Sequence, residues 1–312
     1  MSKQAAVGHF LFPFLRLFII LVCVLTLLFF LQRLTGDPVT VLVGHGATPE
    51  MIDDIRASMG LDRPLIEQYA VFMRKAAVLD FGESIRSQQS ALDMVIDRFP
   101  ATLLLSMTAI SIAITVGIPL GIYAAIYHRR YDGKLINWFA GILQSTPNYW
   151  LGLILLLIFS VNLHWVGSVA SLEDNVFKRL ALPSITLSSF YLARLIRLVR
   201  SGLMDEMSQP YVLTARAKGL TSRTVFFVHI FRNTLIPIVT FIALDLSLLI
   251  GGSVVVETMF SYGGIGDQMI KAILNRDYPL VQATVLVIAV VVIMVNSFSV
   301  YVARIVDPRL AM

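Results

Sequence analysis

The sequence predicts an all-α polytopic membrane protein, and three observations carry that prediction. Hydrophobic residues make up 57% of the chain and charged residues only 14%, with a mean hydropathy of +0.77, so a water-soluble globule could not cover its surface with polar groups. Apolar runs recur along the chain at the length, about 20 helical residues, that crosses a hydrocarbon core. Basic residues gather in the short connections on one side of these runs, as membrane orientation requires.

Taken in order, the first run is Phe10 to Leu31. It is too long for a secretory signal, and Gln32-Arg33-Leu34-Thr35-Gly36-Asp37-Pro38 follows in place of a small-residue cleavage site, so an anchoring helix over residues 1–34 is expected. Residues 35–98 form a polar extracytoplasmic region. Thr48 is placed to cap a helix with Pro49 in its first turn, Ile52, Ile55 and Met59 share one apolar face, and Gly60 stops it. Pro64 opens a second amphipathic helix through Leu65, Tyr69 and Phe72. Ten acids stand against six bases here, a local charge of about minus four. The region reads as a solvated face or, alternatively, as a docking surface or a mouth that favours cationic solutes.

The second to sixth runs are Thr102 to Tyr127, Ile136 to Val161, Leu180 to Val199, Leu235 to Val256 and Val281 to Val302, giving six expected spans. Arg194, Arg197 and Arg200 lie close to one face of the fourth as it approaches the cytoplasm, where snorkelling to lipid phosphate is expected. Asp245 sits about ten residues into the fifth, with no basic residue within two helical turns along the chain. A carboxylate at that depth is costly and faces protein or water. Two readings stay open: it lines an aqueous path and biases it toward positive groups, or it is hydrogen-bonded across helices. Glu257, just past the fifth run, is a second candidate for the path.

Orientation follows from the loops. Lys3, Arg129, Arg130, Lys134, Arg216, Lys218, Arg223, Arg232, Arg304 and Arg309 fall on one side, against Lys178, Arg179, Lys271 and Arg276 in the short loops of the other. Both termini are therefore expected in the cytoplasm, with a short tail at 305–312.

Between the fourth and fifth runs lies a basic, glycine-broken segment, residues 204–234, that packing in lipid does not require. Ala215 and Ala217 allow close approach of another backbone, Gly219 permits a turn at positive φ, and Thr221-Ser222 can cap a second short helix beginning near Arg223. Arg216, Lys218 and Arg223 can grip acidic groups. Two short helices at an angle are expected, either as an ordinary basic connection or as a handle for another protein.

Other chemistries fit poorly. The formal charge of +5 is dispersed among loops rather than gathered on a nucleic-acid-binding face. Cys23 is the one cysteine, so neither an internal disulfide nor a thiolate cluster can form, and the five histidines are scattered at spacings unhelpful for a metal. No Gly-x-x-x-x-Gly-Lys-Ser/Thr is present, since Gly133-Lys134 is followed by Leu135, so the chain does not hydrolyse ATP through a phosphate-cradling loop. An intramembrane aspartyl protease would need Asp132 and Asp267 within hydrogen-bonding reach, yet the expected topology puts them on opposite faces. A carrier driven by an ion gradient remains a rival, with Asp245 as its one central acid.

The segment Tyr211-Val212-Leu213-Thr214-Ala215-Arg216-Ala217-Lys218-Gly219-Leu220 resembles the coupling loop of ABC importer permeases, in the form of the oligopeptide, dipeptide and nickel branch. Gly36-Asp37-Pro38, Gly60-Leu61-Asp62-Arg63-Pro64-Leu65, Asp80-Phe81-Gly82, Arg98-Phe99-Pro100-Ala101-Thr102-Leu103, Gly251-Gly252-Ser253-Val254-Val255-Val256-Glu257 and Arg276-Asp277-Tyr278-Pro279 extend the likeness along nearly the whole chain. The resemblance implies a type I importer permease fold over residues 99–304 and a non-enzymatic, multi-pass subunit of the bacterial inner membrane. It further implies separate ATPase subunits that carry ATP and Mg, a second and non-identical permease subunit, and an extracytoplasmic solute-binding protein, with no cofactor on this chain. Thr214, Ala215, Arg216, Ala217, Lys218, Gly219, Leu220 and Arg223 are the implied contacts to the ATPase. Leu213 stands where many importers carry an acid, and Arg232 where they carry a proline. Short peptides are the implied solute, with glutathione and nickel chelates as alternatives within the family.

Overall fold

The computed structural model describes residues 3–34, 48–58, 60–165 and 176–306. Met59, Gly36-Asp37-Pro38 and Arg309 lie outside that range. Among the described residues the regular structure is helical, apart from an isolated β-bridge between Glu83 and Ser90. In chain order the helices are α1 (Lys3–Leu34), α2 (Pro49–Ser58), α3 (Leu65–Ala77), α4 (Ala91–Ile126), α5 (Tyr131–Ser145), α6 (Asn148–Asn162), α7 (Val176–Met207), α8 (Pro210–Ala217), α9 (Ser222–Met259), α10 (Ile265–Leu274) and α11 (Tyr278–Val306).

Four of these, α4, α7, α9 and α11, are long and apolar enough to cross a membrane, and α1 contributes a shorter apolar stretch, Phe18–Arg33. The expected third run is not one straight helix. It is divided into α5 and α6, bent by 103° at Ser145-Thr146-Pro147, and qualifies as a span only if the pair counts as one. Proline supplies the reason: Pro147 has no N–H to continue the ladder, and its ring disfavours the helical region for Thr146, which is extended at φ −86°, ψ 126°. The later half of α6, Leu156–Asn162, widens to π geometry.

The chain forms two compact units. One holds residues 1–100 and 264–293. Its core brings together Leu25, Ala76, Phe81, Ala91, Val95, Ile265, Ala272 and Leu280. The two amphipathic helices expected in the polar region are present as α2 and α3; Thr48 Oγ1 accepts from Met51 N at 3.4 Å, and Gly60 has φ +65°. On α3, Tyr69 and Phe72 meet Phe29 of α1 ring to ring, and Tyr69 shares a 2.8 Å hydrogen bond with Thr26. Asp277, buried ahead of α11, receives hydrogen bonds from Ser84 Oγ and from Ile85 N, which pins the 80–90 segment.

The other unit holds residues 101–263 and 294–312, and α7 runs through its centre. Helix α7 packs on α5, α6 and α9, and its serines and threonines return their hydroxyls to its own backbone, as Thr186 does to Leu182 O at 2.8 Å. Helix α4 approaches α7 closely at Gly121, where an added Cβ would sit 2.7 Å from Val199 Cβ. Near the end of α11, Ser299 Oγ donates to Ala243 O of α9.

Candidate functional site

The connection from α7 to α9 is a short helical elbow. Pro210 occupies the first turn of α8, where its missing N–H costs nothing. Gly219 ends the helix at φ +80°, with Gly219 N bonded to Arg216 O at 3.0 Å and Leu220 N reaching back to Ala215 O at 3.3 Å, a glycine-terminated helix end. Thr221 then caps the next helix, its Oγ1 accepting from Thr224 N at 3.3 Å. That helix is not short. It begins at Ser222 and continues through a π-wide stretch, Val225–Phe231, to Met259, so the expected second short helix is the foot of α9. No helix-breaking residue follows Thr221 within two turns, which is why the chain does not stop.

Two side chains anchor the elbow. Val212 at 1% exposure and Ala215 at 7% pack among Leu203, Val225 and Ile230. Ala215 thus faces this chain's own core rather than a visitor. Leu213, Thr214, Arg216, Ala217, Lys218, Gly219, Leu220 and Arg223 are all exposed, Leu213 at 67%. A one-turn periodicity decides this split: positions 212 and 215 share the inner face, while 213, 216, 217 and 220 turn outward.

Tyr211 ties the elbow to both flanking helices, and sequence reading missed it. Its hydroxyl donates to Glu206 at the end of α7 and accepts from Asn233 Nδ2 of α9 at 3.1 Å. Burial first, and the bond to Glu206 second, push this hydroxyl above the ordinary tyrosine pKa. A tyrosine five residues after a glutamate was the available signal, but Asn233 lies 22 positions further on.

Asp245 lies midway along α9 at 4% exposure, and the neighbour absent from its own helix comes from α7. Arg194 Nη1 lies 3.0 Å from Oδ2 and 3.3 Å from Oδ1. Of the two sequence readings, the cross-helix bond is the one seen, and the carboxylate's charge is met. Arg194 does not snorkel; its guanidinium is also 4.8 Å from the Phe241 ring centre. Arg197 donates to Gln144 Oε1 of α5 at 2.9 Å. Glu257 is fully buried and accepts from Ser253 Oγ at 3.0 Å. Asp245 and Glu257 are more than three helical turns apart on α9 and do not form one site. Among the described residues no group of three or more His, Cys, Asp or Glu side chains could hold a metal.

Comparison with known proteins bears on this arrangement. Residues 117–312 match the family described as binding-protein-dependent transport system inner membrane component, and residues 9–108 match the N-terminal component of such membrane proteins. A candidate peptide transport system permease protein of Brucella abortus (strain 2308) is 34% identical over 93% of this chain and 94% of its own length. The glutathione transport system permease protein GsiC of Escherichia coli (strain K12) is 35% identical over 86% of each chain. Among solved structures, an inward-facing MetNI methionine ABC transporter aligns with TM-score 0.58 at 15% identity, over 69% of this chain and 96% of that one. An amino acid ABC transporter solved with histidines aligns with TM-score 0.52 at 16% identity, over 68% and 94%. At such identities these two structures speak to the fold.

Proposed function

The chain belongs to the family of binding-protein-dependent transport system inner membrane components, and from that membership we propose how this permease of an ABC importer works and what it carries. The solute is a short peptide, in keeping with the 34% identical Brucella relative. The chain sits in a bacterial inner membrane with both termini in the cytoplasm, beside a second, homologous permease subunit. An extracytoplasmic binding protein delivers the solute, and separate ATPase subunits hydrolyse ATP with Mg. The elbow formed by Thr214, Arg216, Ala217, Lys218, Gly219, Leu220 and Arg223 docks in the ATPase, with Ala215 anchoring it from within.

One observation carries this reading: the elbow presents an exposed, basic surface while Val212 and Ala215 fasten it to the core between two long helices. A push on the elbow therefore moves α7 and α9 rather than a slack loop. Solvent-facing side chains on a firmly rooted helix end are what a lever requires.

Gly219→Pro tests it in the assembled importer. Proline holds φ near −65°, whereas the elbow needs +80° here. Membrane insertion and ATP hydrolysis are expected to persist while ATP-driven peptide uptake falls by at least about tenfold; uptake at the native rate would overturn the coupling role. A gradient-driven carrier would instead lose uptake to uncouplers and ignore removal of the ATPase. Glutathione is the second reading, favoured by the Escherichia coli relative, and competition between labelled trialanine and glutathione distinguishes the two.

A further inference from the structure

Helix α7 carries Arg194, Arg197 and Arg200 at every third position from its midpoint toward the elbow. At a rise of about 1.5 Å per residue, successive guanidinium stems are roughly 4.5 Å apart along the helix. Three guanidiniums in a span are costly, and α7 tolerates them where neighbouring polar groups gather. An open cleft of about 520 Å³ collects all three together with Asn137 and Gln144 of α5 and Phe241 of α9.

The charges in that cleft do not balance. Asp245 meets Arg194. Arg197 donates to the neutral amide of Gln144, which leaves its charge uncompensated. Arg200 carries a buried Nε with no hydrogen-bond partner. Two positive charges and an amide-lined wall thus remain beside a guanidinium already holding a carboxylate. The Arg194–Asp245 pair displays, inside the protein, the chemistry its two neighbours still offer.

We propose that Arg197 and Arg200 form a binding site for the carboxylate of the passing solute, the free C-terminal carboxylate of a short peptide. The site rests on the peptide-import reading for its solute. Arg194, neutralised by Asp245, marks its inner end, and the two guanidiniums that lack a counter-charge hand the carboxylate toward the cytoplasmic end of α7. Guanidinium pairs grip carboxylates with directed, charge-assisted hydrogen bonds, which lysine cannot reproduce in geometry. Asp245 also keeps Arg194 from holding the anion too tightly for release.

The test uses the whole importer, with partner permease, ATPase and binding protein, in vesicles. Trp138 lines the adjoining cleft with Arg197; Trp150→Phe and Trp165→Phe leave it the one tryptophan of this chain, and its signal is read as the difference from the same complex carrying Trp138→Phe. Trialanine and trialaninamide are titrated into the permease complex without binding protein, and uptake of both is measured in the full system. Arg197→Gln and Arg200→Gln, singly, are each expected to weaken trialanine binding and uptake about tenfold while changing trialaninamide by less than twofold. Arg197→Lys should recover part of the loss, and Arg197 is exposed, so that variant pair folds whatever Arg200 contributes to packing. Equal losses for acid and amide would overturn the site, as would a native complex whose Trp138 ignores trialanine. A difference between native and variant that appears only in phosphatidylglycerol vesicles, and vanishes in phosphatidylcholine, would overturn it in favour of lipid phosphate. Carboxylate-dependent binding without ATP-driven uptake of trialanine leaves the site standing and sinks the peptide-import reading instead.

Discussion

At the scale of single residues, the ion pair between Arg194 and Asp245 joins the midpoints of two long helices, and its removal should be felt as stability. Asp245→Asn leaves a guanidinium without its counter-charge, an error that costs about 3 kcal/mol in buried pairs and nearer 2 here, because the Arg194 side chain keeps 31% of its exposure. The expected outcome is a melting temperature several degrees lower, with most of the loss recovered in the Arg194→Gln, Asp245→Asn double variant; additive losses would refute the pairing. Tyr211 makes a second prediction, one about pH. Its hydroxyl is held protonated above the usual tyrosine range by burial and by Glu206, so its contribution is complete below about pH 10 and is lost as pH rises through the higher folded value. Tyr211→Phe should remove that part of the alkaline fall, seen by following unfolding of the purified permease between about pH 9 and 11. Unaltered alkaline behaviour in the variant would show that Tyr211 is not the titrating group.

At the scale of elements, glycine positions separate packing from propensity. Gly121 on α4 leaves no room for a Cβ against Val199 Cβ and Ile196 O, at 2.7 and 2.9 Å, whereas nothing lies within 4 Å of a Cβ built at Gly141 on α5. Gly121→Ala should therefore cost about 1 to 3 kcal/mol through forced separation of α4 and α7. Gly141→Ala should be neutral or gain up to about 1 kcal/mol from helix propensity. Denaturation of the two variants side by side decides, and equal effects would reject the close helix contact. The same elements show what sequence can express. Composition and apolar length made α4, α7, α9 and α11 legible, and Gly219 and Thr221 announced their caps because capping is a local property of the backbone. Pro147 was visible too, but the 103° bend between α5 and α6 was not, since run length counts apolar residues and is blind to a break inside them. The partner of Asp245 escaped for another reason: it lies 51 positions away on a different helix, and no periodicity within one helix reveals a contact between two. Ala215, expected to admit another protein's backbone, instead packs into this chain's own core, because the face a small residue presents is set by tertiary contacts that a single helix's sequence does not contain.

At the scale of the whole molecule, the proposed machine needs one feature on each side of the membrane, and a single chain can report both. Cys23 is the sole native cysteine, so Cys23→Ser gives a background in which any introduced thiol is alone. Leu213 is the most exposed large apolar residue of the elbow, at 67%, and Glu67 on α3 is exposed in the polar region. If both termini lie inside, as proposed, a charged, membrane-impermeant maleimide added to intact cells should label Glu67→Cys and spare Leu213→Cys; inverted vesicles should reverse the pattern. The same Leu213→Cys thiol then distinguishes a lever from a mere loop. An isolated basic connection has no reason to lose water when another protein is added, but an elbow seated in an ATPase does. Adding the ATPase subunits to inverted vesicles should slow labelling at Leu213→Cys by about tenfold or more, because docking contacts exclude water from the residues they cover. Labelling from outside would invert the topology and remove the elbow from the reach of any cytoplasmic motor. Labelling from inside at a rate indifferent to the ATPase would keep the topology and reject the docking surface, so the two parts of the proposal stand or fall separately.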